Sequence, residues 1–131
     1  MCIRDRYQPH LYATKDDVLQ VVDRGGTHLV DGRMDSAYHS ATGHIPGSVR
    51  VPGLGFLDVD GHWVDPATAR RIADDSGTAD GAPVIAYCGG GVAATGTALG
   101  YRLAGLGDIA VYDGSWTEWD ADPATPKEPH A

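Results

Sequence analysis

The chain has 131 residues, 42% of them apolar, and a formal charge of −8 from 18 Asp and Glu against 10 Lys and Arg. That length supports one hydrophobic core and excludes two full domains. Scattered basic residues in an acidic chain argue against nucleic acid and anionic membrane as partners, since both need clustered Lys and Arg.

No apolar run is long enough to cross a bilayer. The opening Met1-Cys2-Ile3-Arg4-Asp5-Arg6 lacks the apolar stretch and cleavage site of a secretory signal, so a cytoplasmic protein is expected. The first helix is predicted to start after Thr14 as N-cap, with Asp16 and Asp17 in its first turn, Val18, Leu19 and Val22 as its apolar stripe, and Gly25-Gly26 as its end. A strand is predicted over 28–31 and another over 48–52, joined through the tight turn Gly43-His44-Ile45-Pro46-Gly47 and stopped by Pro52. Asp65-Pro66 reads as an N-cap followed by Pro at the first helical position, and Ala69, Ile72 and Ala73 form the buried face of a second helix closed by Gly77.

The continuous apolar run 83–87 is the pattern of a central strand buried on both faces. Cys88 stands at its carboxyl end, followed by Gly89, Gly90 and Gly91. A helix over 92–106 is predicted from Val92, Leu99, Leu103 and Leu106. Gly96 and Gly100 weaken it by about 1 kcal/mol each relative to Ala, and are read as allowing close packing on the sheet. A last strand over 109–112 leads into Asp113-Gly114-Ser115-Trp116, and the Pro-rich end from Pro123 reads as a tail. Strands alternating with helices give an α/β domain with a parallel sheet.

Two cysteines cannot make a disulfide framework, so Cys88 is expected as a free thiol. The histidines at positions 10, 28, 39, 44, 62 and 130 lack the paired spacing of zinc sites, and neither a metal nor a cofactor is expected. In parallel sheets, ligands bind beyond the carboxyl ends of strands, which is where Cys88 lies. Three glycines let the loop fold round the sulfur with N–H groups inward. A helix dipole contributes only about 0.3–1 kcal/mol. Two or three N–H bonds to a charged acceptor, at roughly 1.5–3 kcal/mol each, would dominate and favour thiolate. On position alone, a small buried packing cysteine is an equally good reading.

Four segments in order carry a resemblance over residues 12–126. They are Leu29-Val30-Asp31-Gly32-Arg33, Gly43-His44-Ile45-Pro46-Gly47-Ser48, Tyr87-Cys88-Gly89-Gly90-Gly91-Val92-Ala93-Ala94 and Val111-Tyr112-Asp113-Gly114-Ser115-Trp116-Thr117-Glu118-Trp119. The chain resembles the rhodanese family, and the last segment resembles the second, cysteine-bearing domain of tandem thiosulfate and 3-mercaptopyruvate sulfurtransferases. The resemblance implies a single domain over 11–122, with a central mostly parallel five-stranded sheet flanked by helices on both faces. It implies a sulfurtransferase in which Cys88 takes a sulfane sulfur as a persulfide and passes it to cyanide or a thiol, by nucleophilic covalent catalysis.

Gly89, Gly90, Gly91, Val92 and Ala93 are then the persulfide cradle. Arg33 reaches the donor's anionic group, with a structural ion pair as its other reading. Trp116 either walls the cysteine pocket or is a buried anchor. His44, Pro46, Gly47 and Asp31 are read as structural. The partners implied are a small-molecule sulfur donor and acceptor, with no nucleic acid and no membrane, together with a first rhodanese-like domain that this chain lacks. Residues 1–10 read as a linker remnant after a non-native start, and 123–131 as the tail.

Departures leave the donor undecided. Mercaptopyruvate enzymes resemble Cys-Gly-Ser-Gly-Val-Thr-Ala here, whereas this chain has Gly90 and Ala93 in place of the hydroxyls. Thiosulfate enzymes resemble a loop with basic residues, and Gly89 is not basic. The segment 34–42 also lacks a second arginine and offers only His39. Phosphatases with a related loop need an arginine where Ala94 stands. The main alternative is a non-enzymatic sulfur-carrier or protein-interaction module, in which the family generally loses the cysteine.

Overall fold

The computed structural model describes residues 8–129. Five strands form one sheet in the order β1-β5-β4-β2-β3, where β1 is Tyr12–Ala13, β2 His28–Asp31, β3 Val49–Arg50, β4 Val84–Tyr87 and β5 Ala110–Tyr112. Every pairing is parallel. The helices are α1 Lys15–Arg24, α2 Asp35–Ser40, α3 Pro66–Asp75, α4 Ala93–Leu103 and α5 Ser115–Ala121.

The central strand shows why helices cover both faces. Val84, Ala86 and Cys88 pack on one side with Ala69, Ala73, Ala94 and Tyr101 of α3 and α4. Ile85 and Tyr87 pack on the other with Val18 of α1 and Trp116 and Trp119 of α5. Successive side chains of a strand point to opposite faces, so a strand apolar throughout must be buried twice.

Local chemistry sets the helix starts. Thr14 caps α1 by accepting from the Asp17 amide at 3.2 Å while Asp17 accepts from the Thr14 amide at 2.9 Å, a reciprocal capping box. Asp65 accepts from the Thr68 amide at 2.7 Å, with Pro66 opening α3. That hydrogen bond, first among its causes, holds the Asp65 carboxyl below its ordinary range.

Four elements depart from periodicity. The strand predicted over 48–52 is only Val49–Arg50, because β3 is an edge strand and Pro52 has no amide to donate. β1 is too short to carry a period and exists through its pairing with β5. α2 and α5 lie where the sequence predicts no helix, α5 having no side-chain cap. The stretch from Pro123 is docked: Trp119 Nε1 donates to the Pro126 carbonyl at 2.7 Å, and His44 and Glu128 form an antiparallel bridge. The expectations for Met1 to Arg6 lie outside the described residues.

Candidate active site

Three adjacent strands end together. β2 and β5 flank β4 in parallel register, so the segments after Asp31, Tyr87 and Tyr112 emerge at one sheet edge. Cys88 is one residue past β4, a free thiol only 2% exposed. The Gly91 amide donates to its Sγ at 3.0 Å. Gly91 has φ +95°, and a Cβ there would stand 2.7 Å from the Asp113 carbonyl oxygen, so both dihedral and space require glycine.

Gly89 and Gly90 have open space where a Cβ would project. Val92 is exposed, and Ala93 opens α4. Among the described residues, the amides of Gly89, Gly90, Val92 and Ala93 make no hydrogen bond to the sulfur, so the two or three bonds anticipated from the loop are one. The reason is depth: Sγ sits buried at the strand end, while the crest of the loop at Gly90 stands in solvent.

The segment after β5 forms the opposite wall; the sequence singled out Trp116 within it, whereas the parts played by Ser115 and Thr117 were not read. The Cys88 amide donates to Ser115 Oγ at 3.1 Å, and the Ser115 hydroxyl donates to the Tyr112 carbonyl at 2.8 Å while lying 4.0 Å from Sγ. Ser115 has φ +54°, alone among the described non-glycine residues in the positive region, and is fully buried. Such an outlier is held by its surroundings at a cost of about 1–3 kcal/mol. The Trp116 amide donates to the Cys88 carbonyl at 2.8 Å, and the Thr117 amide to the Gly89 carbonyl at 3.0 Å. The sequence implies a parallel sheet without a strand order, so it held no signal for this contact, which follows from the pairing of β4 with β5.

Arg33 is 3% exposed, and most of its guanidinium is engaged within the protein. Its Nε donates to Asp31 Oδ1 and Oδ2 at 3.0 Å each, and Nη2 donates to Asp31 Oδ2 at 2.6 Å and to the Gly43 carbonyl at 3.0 Å. The ion pair is therefore present. Nη1 is buried without a hydrogen-bond partner among the described residues. Burial works against the charge, but the Asp31 hydrogen bonds and carboxylate overcome it and hold Arg33 above its ordinary pKa. The guanidinium lies 5.1 Å from the Trp116 ring and 5.2 Å from the Tyr38 ring.

Trp116 is a buried member of the α1/α5 core that touches Arg33 with its ring and Cys88 with its amide. His44 Nε2 lies 3.1 Å from Glu128 Oε1, in keeping with a structural histidine. Asp58, Asp60 and His62 converge on an exposed loop, where Asp58 Oδ1 accepts from the amides of Asp60 and His62 and so closes the turn.

A parallel sheet with a buried free thiol just past its central strand, and a glycine loop leading from that thiol into a helix, defines an α/β domain whose candidate site is the carboxyl edge of the sheet. Residues 14–122 match the rhodanese-like domain family, and the chain belongs to it. It is 34% identical over 120 residues to 3-mercaptopyruvate sulfurtransferase of Mus musculus, covering 85% of this chain and 40% of that protein. It is 39% identical over 119 residues to thiosulfate sulfurtransferase of Rattus norvegicus, covering 83% and 40%. The chain thus spans about 40% of the length of these curated relatives. Its fold is similar to that of an anaerobic ergothioneine biosynthesis enzyme from Chlorobium limicola, with a TM-score of 0.83 and 22% identity, covering 94% of this chain and 33% of that one. No helix among the described residues is long and apolar enough to cross a membrane.

Proposed function

We propose that the domain is a sulfurtransferase that carries sulfane sulfur on Cys88. The single observation that carries this reading is a thiol at the end of the central strand whose Sγ accepts a backbone amide from the glycine loop. A hydrogen bond to sulfur favours thiolate over thiol. In the first step the thiolate attacks the donor's outer sulfur, and the bond between that sulfur and the rest of the donor breaks. Thiosulfate leaves as sulfite with the bonding electron pair; 3-mercaptopyruvate leaves as the enolate of pyruvate and takes up a proton. In the second step a thiophilic acceptor, cyanide or a thiol from the cytoplasmic pool, attacks the outer sulfur and returns Cys88 as thiolate.

The amides of Gly89, Gly90, Val92 and Ala93 are left for the outer sulfur, which extends beyond Sγ toward the loop crest. Arg33 Nη1 supplies one hydrogen bond to an oxygen of the donor, since the rest of its fork is committed to Asp31 and Gly43. Gly90 and Ala93 offer no hydroxyl to protonate the enolate left by mercaptopyruvate, and Gly89 offers no cation to thiosulfate, so the loop favours neither donor.

Intact-mass measurement after incubation with thiosulfate, and separately with 3-mercaptopyruvate, tests the reading. Wild type gains one sulfur atom that cyanide removes as thiocyanate, and Cys88→Ser gains none. Equal uptake by the variant, or no uptake by wild type from either donor, defeats the proposal.

A further inference from the structure

α5 begins without a side-chain cap, so its first amides need acceptors from elsewhere. Two of them find the catalytic loop: Trp116 donates to the Cys88 carbonyl and Thr117 to the Gly89 carbonyl. The Thr117 hydroxyl then adds a second bond to the same Gly89 oxygen at 2.8 Å. A carbonyl oxygen has two lone pairs, and here both are taken by one residue.

In a trans peptide the carbonyl and the following N–H point in opposite directions. Fixing the Cys88 and Gly89 carbonyls toward α5 therefore turns the amides of Gly89 and Gly90 away from it. Only the two dihedrals of Gly90 separate the anchored peptide from the one whose N–H meets Sγ. Gly90 is exposed, has nothing within 4 Å of where a Cβ would project, and as glycine lacks the side chain that would restrain those dihedrals. The loop's aim is thus set from its anchored end.

We infer that Thr117 is a positioning residue: its hydroxyl locks the Gly89 peptide so that the loop's amides face the sulfur that Cys88 carries. The use of that sulfur rests on the sulfurtransferase reading; the effect of Thr117 on the thiolate does not. Thr117 is exposed and outside both core clusters, so its substitution spares the fold.

Thr117→Val removes the hydroxyl at nearly constant shape and keeps the amide, whereas Thr117→Ser keeps both. Thiolate formation is followed by ultraviolet absorbance against pH, each protein being read as the difference from the same protein carrying Cys88→Ser. Sulfur loading from thiosulfate is followed by intact mass. The Asp113 carboxylate beside Gly91, and Arg33 across Trp116, are unchanged throughout. Thr117→Val should move the thiolate midpoint to higher pH and slow loading by about three- to tenfold, the reach of one net hydrogen bond. Thr117→Ser should stay within about twofold of wild type, as surface changes that keep a contact do. A Thr117→Val protein with wild-type midpoint and loading overturns the inference, as do Val and Ser variants impaired alike. If wild type loads no sulfur, the sulfurtransferase reading falls, and the thiolate titration still decides the role of Thr117.

Discussion

At the scale of single residues, Arg33 shows how burial divides one side chain between structure and chemistry. Asp31 is fully buried, and three hydrogen bonds from the Arg33 side chain neutralise it. A buried pair of this kind adds little net stability, because desolvating both charges offsets their attraction. Removing one partner is different, since the other is left charged and unpaired. Arg33→Ala should therefore lower unfolding stability by about 3–5 kcal/mol, read from urea transitions. Arg33→Lys keeps the charge but loses Nη1. In the folded Lys variant the KM for thiosulfate should rise, and an unchanged KM would assign Arg33 wholly to Asp31. Sequence alone left these two roles competing; the structure shows the ion pair with Asp31 and leaves Nη1 without a partner among the described residues, and the KM of the Lys variant decides the donor role.

At the scale of elements, α4 tests how far helix propensity governs this fold. Gly96 and Gly100 are one helical turn apart, and by propensity each Gly→Ala change favours the helix by about 1 kcal/mol. Their surroundings separate them. A Cβ at Gly96 would meet the Gly53 backbone no closer than 3.7 Å, an ordinary contact, whereas one at Gly100 would stand 2.4 Å from the Phe56 ring. Phe56 is fully buried in the short 3₁₀ turn Gly53–Phe56, so it has nowhere to move. Overpacking a core costs about 1–3 kcal/mol and outweighs the propensity gain. Gly96→Ala should raise the thermal midpoint and Gly100→Ala should lower it; the same sign for both would show that the Phe56 contact is not limiting. The expectation that both glycines allow close packing on the sheet is not met: Gly96 and Gly100 face the 3₁₀ turn Gly53–Phe56 instead, and only at Gly100 does that contact require glycine.

At the scale of the whole molecule, a few long-range ties join elements far apart in the sequence. Lys15, at the start of α1, donates to Asp122, just past α5, at 2.8 Å. That hydrogen bond, first among the causes, holds the Asp122 carboxyl below its ordinary 3.8 and the Lys15 ammonium above its ordinary 10.5. The lowered acid contributes stability that is present above pH 3.8 and lost as pH falls through its folded value; the raised base contributes stability that is present below pH 10.5 and lost as pH rises past its folded value. The stability difference between wild type and Lys15→Met should be level across neutral pH and shrink at both extremes. A difference that persists unchanged into acid would show that the pair contributes through packing alone. Beyond Asp122 the chain runs back to His44, so a stretch that composition marks as a tail closes over the turn that meets Arg33 through Gly43. What the sequence by itself determined was whatever depends on neighbours along the chain: the capped starts at Thr14 and Asp65, the doubly buried strand before Cys88, and the glycine loop that follows it. What only the tertiary structure decided was whatever depends on neighbours across it: strand β1, the docking of residues 123–129, and the hold of Ser115, Trp116 and Thr117 on the cysteine loop. The last of these contacts join residues 27 or 28 positions apart, and no local periodicity records a hydrogen bond whose donor and acceptor meet only when two parallel strands lie side by side.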